Sequence, residues 1–207
     1  MTGFDSKTHW QDVYATKATT AVSWYQETPA PSLDLLQLTG AGPETGIIDI
    51  GGGASILVDT LLGLGYGDLS VLDISPTALE AAQARLGRSA GKVEWIVADV
   101  TEWRPERSYD IWHDRAAFHF LVEESSRSAY VERLRSALPV GGHVIIGTFA
   151  PDGPEKCSGL IVQRYDARSL GTALGAGFRL IDSRRYDHLT PWRAVQHFHF
   201  GTFCREA

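Results

Sequence analysis

The sequence predicts an α/β fold in which helices cover both faces of a mostly parallel, doubly wound sheet. From residue 47 onward, short apolar runs alternate with amphipathic segments, which is the pattern of βαβ units. The last two apolar runs have no helix between them, which predicts an antiparallel pair. With 207 residues, 43% of them hydrophobic and 21% charged, the chain is long enough for one core. We therefore expect a single domain over residues 1–207.

The elements follow in a regular order. Five strands are predicted over residues 47–50, 69–73, 93–99, 109–114 and 143–149, and the closing pair over 178–183 and 197–204. Helices are predicted over 54–62, 76–86, 130–138 and 166–174. Ser75 and Pro76 supply a capping side chain and a first-turn proline for the second of these helices. Helices thus alternate with strands until the closing pair.

A helical segment, residues 1–46, precedes the sheet core of residues 47–204. It carries Trp10, Tyr14, Trp24 and Tyr25 and is broken by prolines near residue 30. This density of aromatic residues is typical of a lid over a ligand site. The alternative is that these rings pack as part of the core.

Composition and charge disfavour several classes of partner. A formal net charge of −6 and a pI near 5.6 argue against binding to nucleic acid or to anionic lipid. No window approaches the ~18 consecutive apolar residues of a membrane helix, and the N-terminus has no secretory pattern, so we expect a cytoplasmic protein. Cys157 and Cys204 form no C-x-x-C pair, which argues against a disulfide framework or a zinc site.

A glycine-rich loop, Gly51-Gly52-Gly53, follows the first strand in the stretch IIDIGGGAS. In a doubly wound sheet, this loop borders the expected ligand crevice. The dinucleotide fingerprint is incomplete because Ile56 occupies the position of its third glycine. A P-loop is excluded because no Gly-Lys-Ser/Thr sequence follows. The loop therefore predicts a ligand other than a dinucleotide or a nucleoside triphosphate.

Three aspartates mark the ends of the first three strands. Asp49 would repel a pyrophosphate and attract a cation. S-adenosylmethionine carries a sulfonium, an ammonium, a ribose diol and an adenine, and it has no phosphate. Asp73 is placed to accept from both ribose hydroxyls, and Asp99 from the adenine amino group. The alternative for Asp73 or Asp99 taken singly is a capping or exposed strand-end residue.

The pattern Asp49-Ile50-Gly51-Gly52-Gly53, together with Asp73 and Asp99, resembles that of class I S-adenosylmethionine-dependent methyltransferases over about residues 46–204. The resemblance implies a Rossmann-like doubly wound seven-stranded sheet, mostly parallel with one antiparallel strand. It also implies S-adenosylmethionine as the cofactor and S-adenosylhomocysteine as the product. The residues that we assign to cofactor binding are Tyr14, Asp49, Gly51, Gly52, Gly53, Asp73, Ile74, Asp99, Val100 and His113.

The sequence says less about the identity of the methyl acceptor than about the cofactor. Residues 9–17, 24–26 and 109–121 look like those of a small bacterial branch, which is also similar to methyltransferases that modify lysines of metabolic enzymes or of elongation factor. Those relatives usually show D-K-G-x-x-D-A after the fourth strand, whereas this chain reads D-R-A-A-F-H-F from Asp114. A small metabolite, such as an organic acid or a thiol, is therefore favoured. The alternatives are a lysine on a partner protein and a non-catalytic cofactor-binding module.

Candidate catalytic residues follow the fourth strand. His119 is the candidate general base, although a histidine among aromatic residues is also typical of a packed ring. Arg115 is the candidate clamp for an acidic acceptor, or alternatively pairs with Asp114. No metal site is expected, since His113 and His119 are six residues apart without a third ligand set. Trp192 is a further candidate for the border of the acceptor pocket.

Overall fold

A computed structural model of the chain describes residues 5–207, so residues 1–4 of the predicted N-terminal segment lie outside it. The strands are β1 Ile47–Ile50, β2 Leu69–Asp73, β3 Val93–Val97, β4 Ile111–Arg115, β5 His143–Phe149, β6 Lys156–Cys157, β7 Leu160–Ile161, β8 Phe178–Leu189 and β9 Val195–Arg205. The helices are α1 Ser6–Thr16, α2 Ser32–Leu38, α3 Leu57–Gly63, α4 Pro76–Leu86, α5 Glu124–Ala137 and α6 Ala167–Leu174.

Seven strands form the main sheet in the order β3-β2-β1-β4-β5-β9-β8. All neighbouring pairs are parallel except those of β9, which runs antiparallel to both β5 and β8. The predicted fold class, with its single antiparallel strand, is confirmed. The strand order reverses between β1 and β4, and ligands of such sheets bind at the carboxyl ends of the strands near this reversal.

The two faces of the sheet each bury an apolar layer. Ile47 packs on the face covered by α2 and α3, with Leu57 and Leu61. Ile48 and Ile50 pack on the opposite face, which α5 covers. This alternation along β1 follows from the two-residue period of a strand, and it buries the strand on both sides. The carboxyl end of β1 is therefore held rigidly at the position of the glycine loop.

Several predicted boundaries differ from those observed. Helix α3 begins at Leu57 rather than at residue 54, because residues 51–55 form the turn of the glycine loop. Strand β3 ends two residues early, at Val97, which leaves Asp99 in the following loop. Strands β8 and β9 are longer than predicted, since their exposed outer portions lack a continuous apolar face. The short β6–β7 hairpin was not predicted.

The N-terminal segment covers the carboxyl edge of the sheet. Asp5 caps α1 by accepting from the backbone N–H groups of Lys7 and Thr8. Gln11 fixes α1 to the start of α4 through Thr77 and Ser75. The segment thus lies where a lid would lie. Within residues 5–207, no helix has the length and apolar character needed to span a membrane.

Candidate active site

A cavity lies at the carboxyl ends of β1, β2, β4 and β5, beneath the N-terminal segment. Its empty volume is about 980 Å³, including the open mouth. One half is walled by Asp73, Ile74, Asp99 and Val100, as predicted from the strand ends.

Gly51 of the glycine loop lines this cavity, and the loop has no room for side chains at Gly51, Gly52 or Gly53. Gly51 and Gly53 have φ angles of +63° and +47°, in the left-handed region. A Cβ on Gly51 would lie 2.7 Å from the Cβ of Ala117. A Cβ on Gly53 would lie 2.8 Å from Oδ2 of Asp73 and 2.9 Å from the hydroxyl of Tyr14. The bare backbone is therefore what a ligand meets here.

Asp73 ends β2 and is only 5% exposed. Its Oδ1 accepts from the backbone N–H of Ser75 at 2.8 Å. Burial raises the pKa of the Asp73 carboxyl to about 7, although backbone hydrogen bonds from Ser75, Ile74 and Gly53 act in the opposite direction. A ligand that donates hydroxyl hydrogens to this carboxylate would stabilise its ionised form.

Asp99 stands in the loop directly after β3 and lines the same half of the cavity. Its Oδ1 accepts from both the backbone N–H of Thr101, at 2.8 Å, and the Thr101 hydroxyl, at 2.7 Å. These bonds fix the carboxylate as an Asx turn. Capping and ligand binding are thus compatible roles for Asp99, because both recorded bonds use the same oxygen.

Asp49 and His113 lie one layer behind the cavity. The Nδ1–H of His113 donates to Oδ1 of Asp49 at 2.7 Å, and Nε2 lies 2.8 Å from the hydroxyl of Ser32. All three side chains are buried. Oδ2 of Asp49 faces Gly52, where it is 2.6 Å from the position of a Cβ. His113 therefore orients Asp49 against the glycine loop and borders a smaller adjoining cavity.

Arg115, at the end of β4, lines the large cavity. Its Nη2 donates to the backbone carbonyl of Trp24 at 2.6 Å. The alternative pairing with Asp114 is not made, since Asp114 accepts from the Tyr130 hydroxyl at 2.7 Å and from two backbone N–H groups. Among the described residues, no carboxylate lies within ion-pair distance of Arg115. Burial lowers the pKa of Arg115.

His119 is fully buried in the 3₁₀ turn Phe118–Phe120, between the rings of Phe120 and Phe149. Its Nδ1 accepts weakly from the Phe149 backbone N–H at 3.4 Å. Burial lowers the pKa of His119 to about 3. His119 is not among the described residues that line the cavity. Its predicted role as a base remains a prediction, and this environment is that of a packed ring.

The other half of the cavity contains residues that the sequence did not reveal. Gln196 and Phe198 reach it from β9, while Cys157 reaches it from the unpredicted β6. Burial raises the pKa of the Cys157 thiol to about 11, so it stays protonated. Trp192 is 60% exposed in the β8–β9 loop, away from the described walls. Period-two alternation along β9 was the available signal for Gln196 and Phe198, but it does not tell which face meets a ligand.

The strand order, the glycine loop after β1 and the acids that follow β1, β2 and β3 together define a class I S-adenosylmethionine-dependent methyltransferase fold. Residues 47–142 match the model of a family described as "Methyltransferase domain", and this part of the chain is a methyltransferase domain.

Individual relatives agree with this class. The chain is 30% identical over 111 residues to malonyl-acyl-carrier-protein O-methyltransferase 1 of Ilyobacter polytropus, an alignment that covers 53% of this chain and 40% of that protein. It spans 40–49% of the length of the curated relatives it matches.

Two solved structures share the fold over nearly the whole chain. N-methyltransferase NodS from Bradyrhizobium japonicum, in complex with S-adenosylhomocysteine, superimposes with a TM-score of 0.75 at 17% identity, covering 98% of this chain and 100% of that one. The 1,6-didemethyltoxoflavin-N1-methyltransferase from Burkholderia thailandensis gives a TM-score of 0.69 at 20% identity, covering 98% and 84%.

Proposed function

We propose that the protein is an S-adenosylmethionine-dependent methyltransferase with a small-molecule acceptor, and that residues 1–207 act as one domain with the N-terminal segment as its lid. The observation that carries this proposal is the division of one cavity into two halves. One half presents Asp73 and Asp99 beside a bare glycine loop, and the other is closed by aromatic side chains. The lack of a nucleic-acid partner belongs to the same proposal and is supported by the formal charge of −6. A cytoplasmic location is also part of the proposal.

The residues present fit this cofactor. Asp73 accepts from the ribose hydroxyls, and Asp99 accepts from the adenine amino group. Ile74 and Val100 supply apolar contact for the adenine ring. Asp49, held by His113, gives the glycine loop a negative potential that favours an ammonium and a sulfonium.

The chemistry that S-adenosylmethionine supplies when bound is an activated methyl group: a lone pair of the acceptor forms the new bond to carbon while the carbon–sulfur electron pair stays on sulfur. The protein's residues orient the acceptor and exclude water. Trp10, Trp24 and Phe120 cover the site from the lid side. His119 lies outside the described walls of the cavity, so its role as a base stays a prediction.

A small acceptor is favoured over a protein lysine because Arg115 stands inside the cavity. A cationic guanidinium repels a lysine ammonium and attracts an acidic small molecule. The relative from Burkholderia thailandensis acts on 1,6-didemethyltoxoflavin, a small molecule. A protein lysine acceptor would move labelled methyl into protein, and a non-catalytic module would bind cofactor without turnover.

The test is calorimetric titration of the purified protein with S-adenosylhomocysteine, S-adenosylmethionine and NAD. Binding of the first two at micromolar concentration, without NAD binding, is expected. Labelled S-adenosylmethionine is then incubated with cell extract, which is separated into small-molecule and protein fractions. Label in the small-molecule fraction supports the proposal. NAD binding would contradict the cofactor assignment, and label in protein alone would contradict the acceptor class.

A further inference from the structure

The acceptor half of the cavity is lined by flat apolar rings. They come from four separate parts of the chain: Trp10 and Trp24, Phe120, Phe149, and Phe198. The ring centroids of Trp10 and Phe120 lie 4.9 Å apart, as do those of Phe149 and Phe198. Aromatic walls of this kind favour a planar ligand through stacking and edge contacts. A long aliphatic or strongly hydrated acceptor would gain less from them.

Among the described residues, Arg115 is the cation that lines the cavity together with these rings. The Arg115 guanidinium carries five N–H donors, and the hydrogen bond recorded for it goes to one backbone carbonyl, that of Trp24. Asp49 acts on this cation electrostatically, but among the described residues no carboxylate forms an ion pair with it, so burial of the guanidinium carries a cost that an anion entering the cavity reduces. The guanidinium matches a carboxylate through two parallel hydrogen bonds. The cavity is therefore prepared for one negative charge.

The second polar group in this half of the cavity is an uncharged hydrogen-bond acceptor. Oε1 of Gln196 is buried, and no described residue donates a hydrogen bond to it. Gln196 lines the same cavity as Arg115. A buried carbonyl oxygen without a donor is unfavourable, so a ligand N–H or O–H is the complementary group.

On the basis of the proposed function, we infer that the methyl acceptor is a small aromatic acid. Its ring lies among the aromatic walls, its carboxylate binds Arg115, and a ring N–H or O–H donates to Gln196. Arg115 and Gln196 are then the residues that determine acceptor specificity.

The amino-acid part of the cofactor also carries a carboxylate, which is an alternative partner for Arg115. Two ligands distinguish this carboxylate from that of the methyl acceptor. S-adenosylhomocysteine has this carboxylate, whereas 5′-methylthioadenosine lacks the amino-acid part. We expect Arg115→Gln to change the affinity for both by less than about threefold, or 0.65 kcal/mol. A loss of about tenfold or more for S-adenosylhomocysteine, without a loss for 5′-methylthioadenosine, would assign Arg115 to the cofactor and overturn the inference.

Binding at the site of the methyl acceptor is measured with matched probes on protein saturated with S-adenosylhomocysteine. The probes are benzoate, 4-hydroxybenzoate, nicotinate and indole-3-acetate, each paired with its neutral amide. In at least one pair, the acid should bind about tenfold or more tightly than the amide, and Arg115→Gln should abolish this preference. Gln196→Leu should weaken 4-hydroxybenzoate more than benzoate.

Two further variants control the experiment. Arg185→Gln makes the same change of charge at an exposed residue of β8 that pairs with Asp152, and it should keep the acid preference. Arg115→Lys keeps the charge and should retain part of the preference if Arg115→Gln fails to fold. Equal binding of acid and amide in every pair, or a preference that survives in Arg115→Gln, overturns the inference. Failure of S-adenosylhomocysteine to bind the wild-type protein instead overturns the proposed function.

Discussion

At the residue scale, Gly53 sits where a methyl group would collide with two cavity side chains. Its φ angle is +47°, and a Cβ would lie 2.8 Å from Asp73 Oδ2 and 2.9 Å from the Tyr14 hydroxyl. Gly53→Ala should weaken S-adenosylhomocysteine binding by about tenfold or more, because Asp73 must move from its position. Calorimetry measures this loss.

Gly65→Ala is the matched control for that substitution. Gly65 also has a positive φ, +89°, but a Cβ there meets nothing within 4 Å. Both variants should lose about 1 kcal/mol of stability from backbone strain, and only Gly53→Ala should lose affinity. Wild-type affinity in Gly53→Ala would show that the loop does not contact the cofactor.

Asp73 also predicts a pH dependence of cofactor binding. Its pKa in the ligand-free protein is raised to about 7. Under the proposed function, the ribose hydroxyls would donate to the ionised form. Affinity for S-adenosylhomocysteine should therefore fall about five- to tenfold between pH 8 and pH 6.

The contribution of Asp73 to folding stability has the opposite pH dependence and falls as the pH rises. Because the folded state holds this proton more tightly, the contribution of Asp73 to the free energy of unfolding is greatest below pH 3.8 and declines toward pH 7.

Asp73→Asn removes the titrating group and should flatten the binding profile. Asp187→Asn is the control, since Asp187 is 66% exposed, pairs with His197 and is not among the described residues that line the cavity. A slope that is unchanged in Asp73→Asn would assign the pH dependence to another group.

At the scale of elements, α1 is fixed to the start of α4 by one side chain. Gln11 Nε2 donates to the Thr77 hydroxyl at 2.5 Å, and its Oε1 accepts from the Ser75 hydroxyl at 3.2 Å. Each bond contributes about 0.5–1.5 kcal/mol. Gln11→Ala loses both bonds, about 1–3 kcal/mol in total, so the open population of α1 should rise and trypsin should cleave after the exposed Lys17 about five- to 150-fold faster. Timed digestion with mass spectrometry measures the rate.

The control for α1 is Gln37→Ala, at an exposed position of α2. It should leave cleavage after Lys17 unchanged, and S-adenosylhomocysteine should slow that cleavage in the wild-type protein. Equal rates in Gln11→Ala and the wild type would mean that other contacts hold the lid segment.

Helix α5 is fastened to β4 through a buried chain of hydrogen bonds. Trp112 Nε1 donates to the Tyr130 hydroxyl at 2.7 Å, and this hydroxyl donates to Asp114 Oδ2 at 2.7 Å. Tyr130→Phe leaves the Trp112 N–H without this acceptor and Asp114 without this donor. The free energy of unfolding should fall by about 2–4 kcal/mol, which lowers Tm by roughly 5–15 °C.

Tyr109→Phe is the comparison for Tyr130→Phe, measured by the same thermal melt. The Tyr109 hydroxyl makes a long 3.4 Å contact to Glu94 and also interacts with Ser70 and Arg107, so its removal should cost about 1 kcal/mol, less than the loss in Tyr130→Phe. Similar melting temperatures for the two variants would contradict the importance of the buried chain.

At the scale of the whole molecule, the strand pattern was sufficient to predict the sheet. Buried parallel strands such as β1 and β5 leave short, nearly continuous apolar runs, and the lack of a helix before β9 marked its antiparallel direction. The strand ends also placed Asp73 and Asp99 beside the glycine loop, because carboxyl ends of parallel strands meet at one edge.

Long-range side-chain contacts could not be predicted from the sequence. Ser32 and His113 are 81 residues apart, and nothing local to either predicts their hydrogen bond. Local spacing also left open whether Arg115 pairs with Asp114, although adjacent strand residues point to opposite faces. The sequence placed His119 after β4, but whether its ring lines the cavity depends on how the 3₁₀ turn packs on Phe149.

The position of β9 has a consequence for synthesis on the ribosome. Its residues are the last of all the strands to emerge, yet it lies between β5 and β8. Until then β5 and β8 each carry an open hydrogen-bonding edge, a state that invites mispairing. The acid-bearing half of the cavity needs only β1 to β4, whereas the aromatic half needs Phe198. A nascent chain can thus form the acid-bearing half first, and early cofactor binding would stabilise that half before the aromatic half is complete.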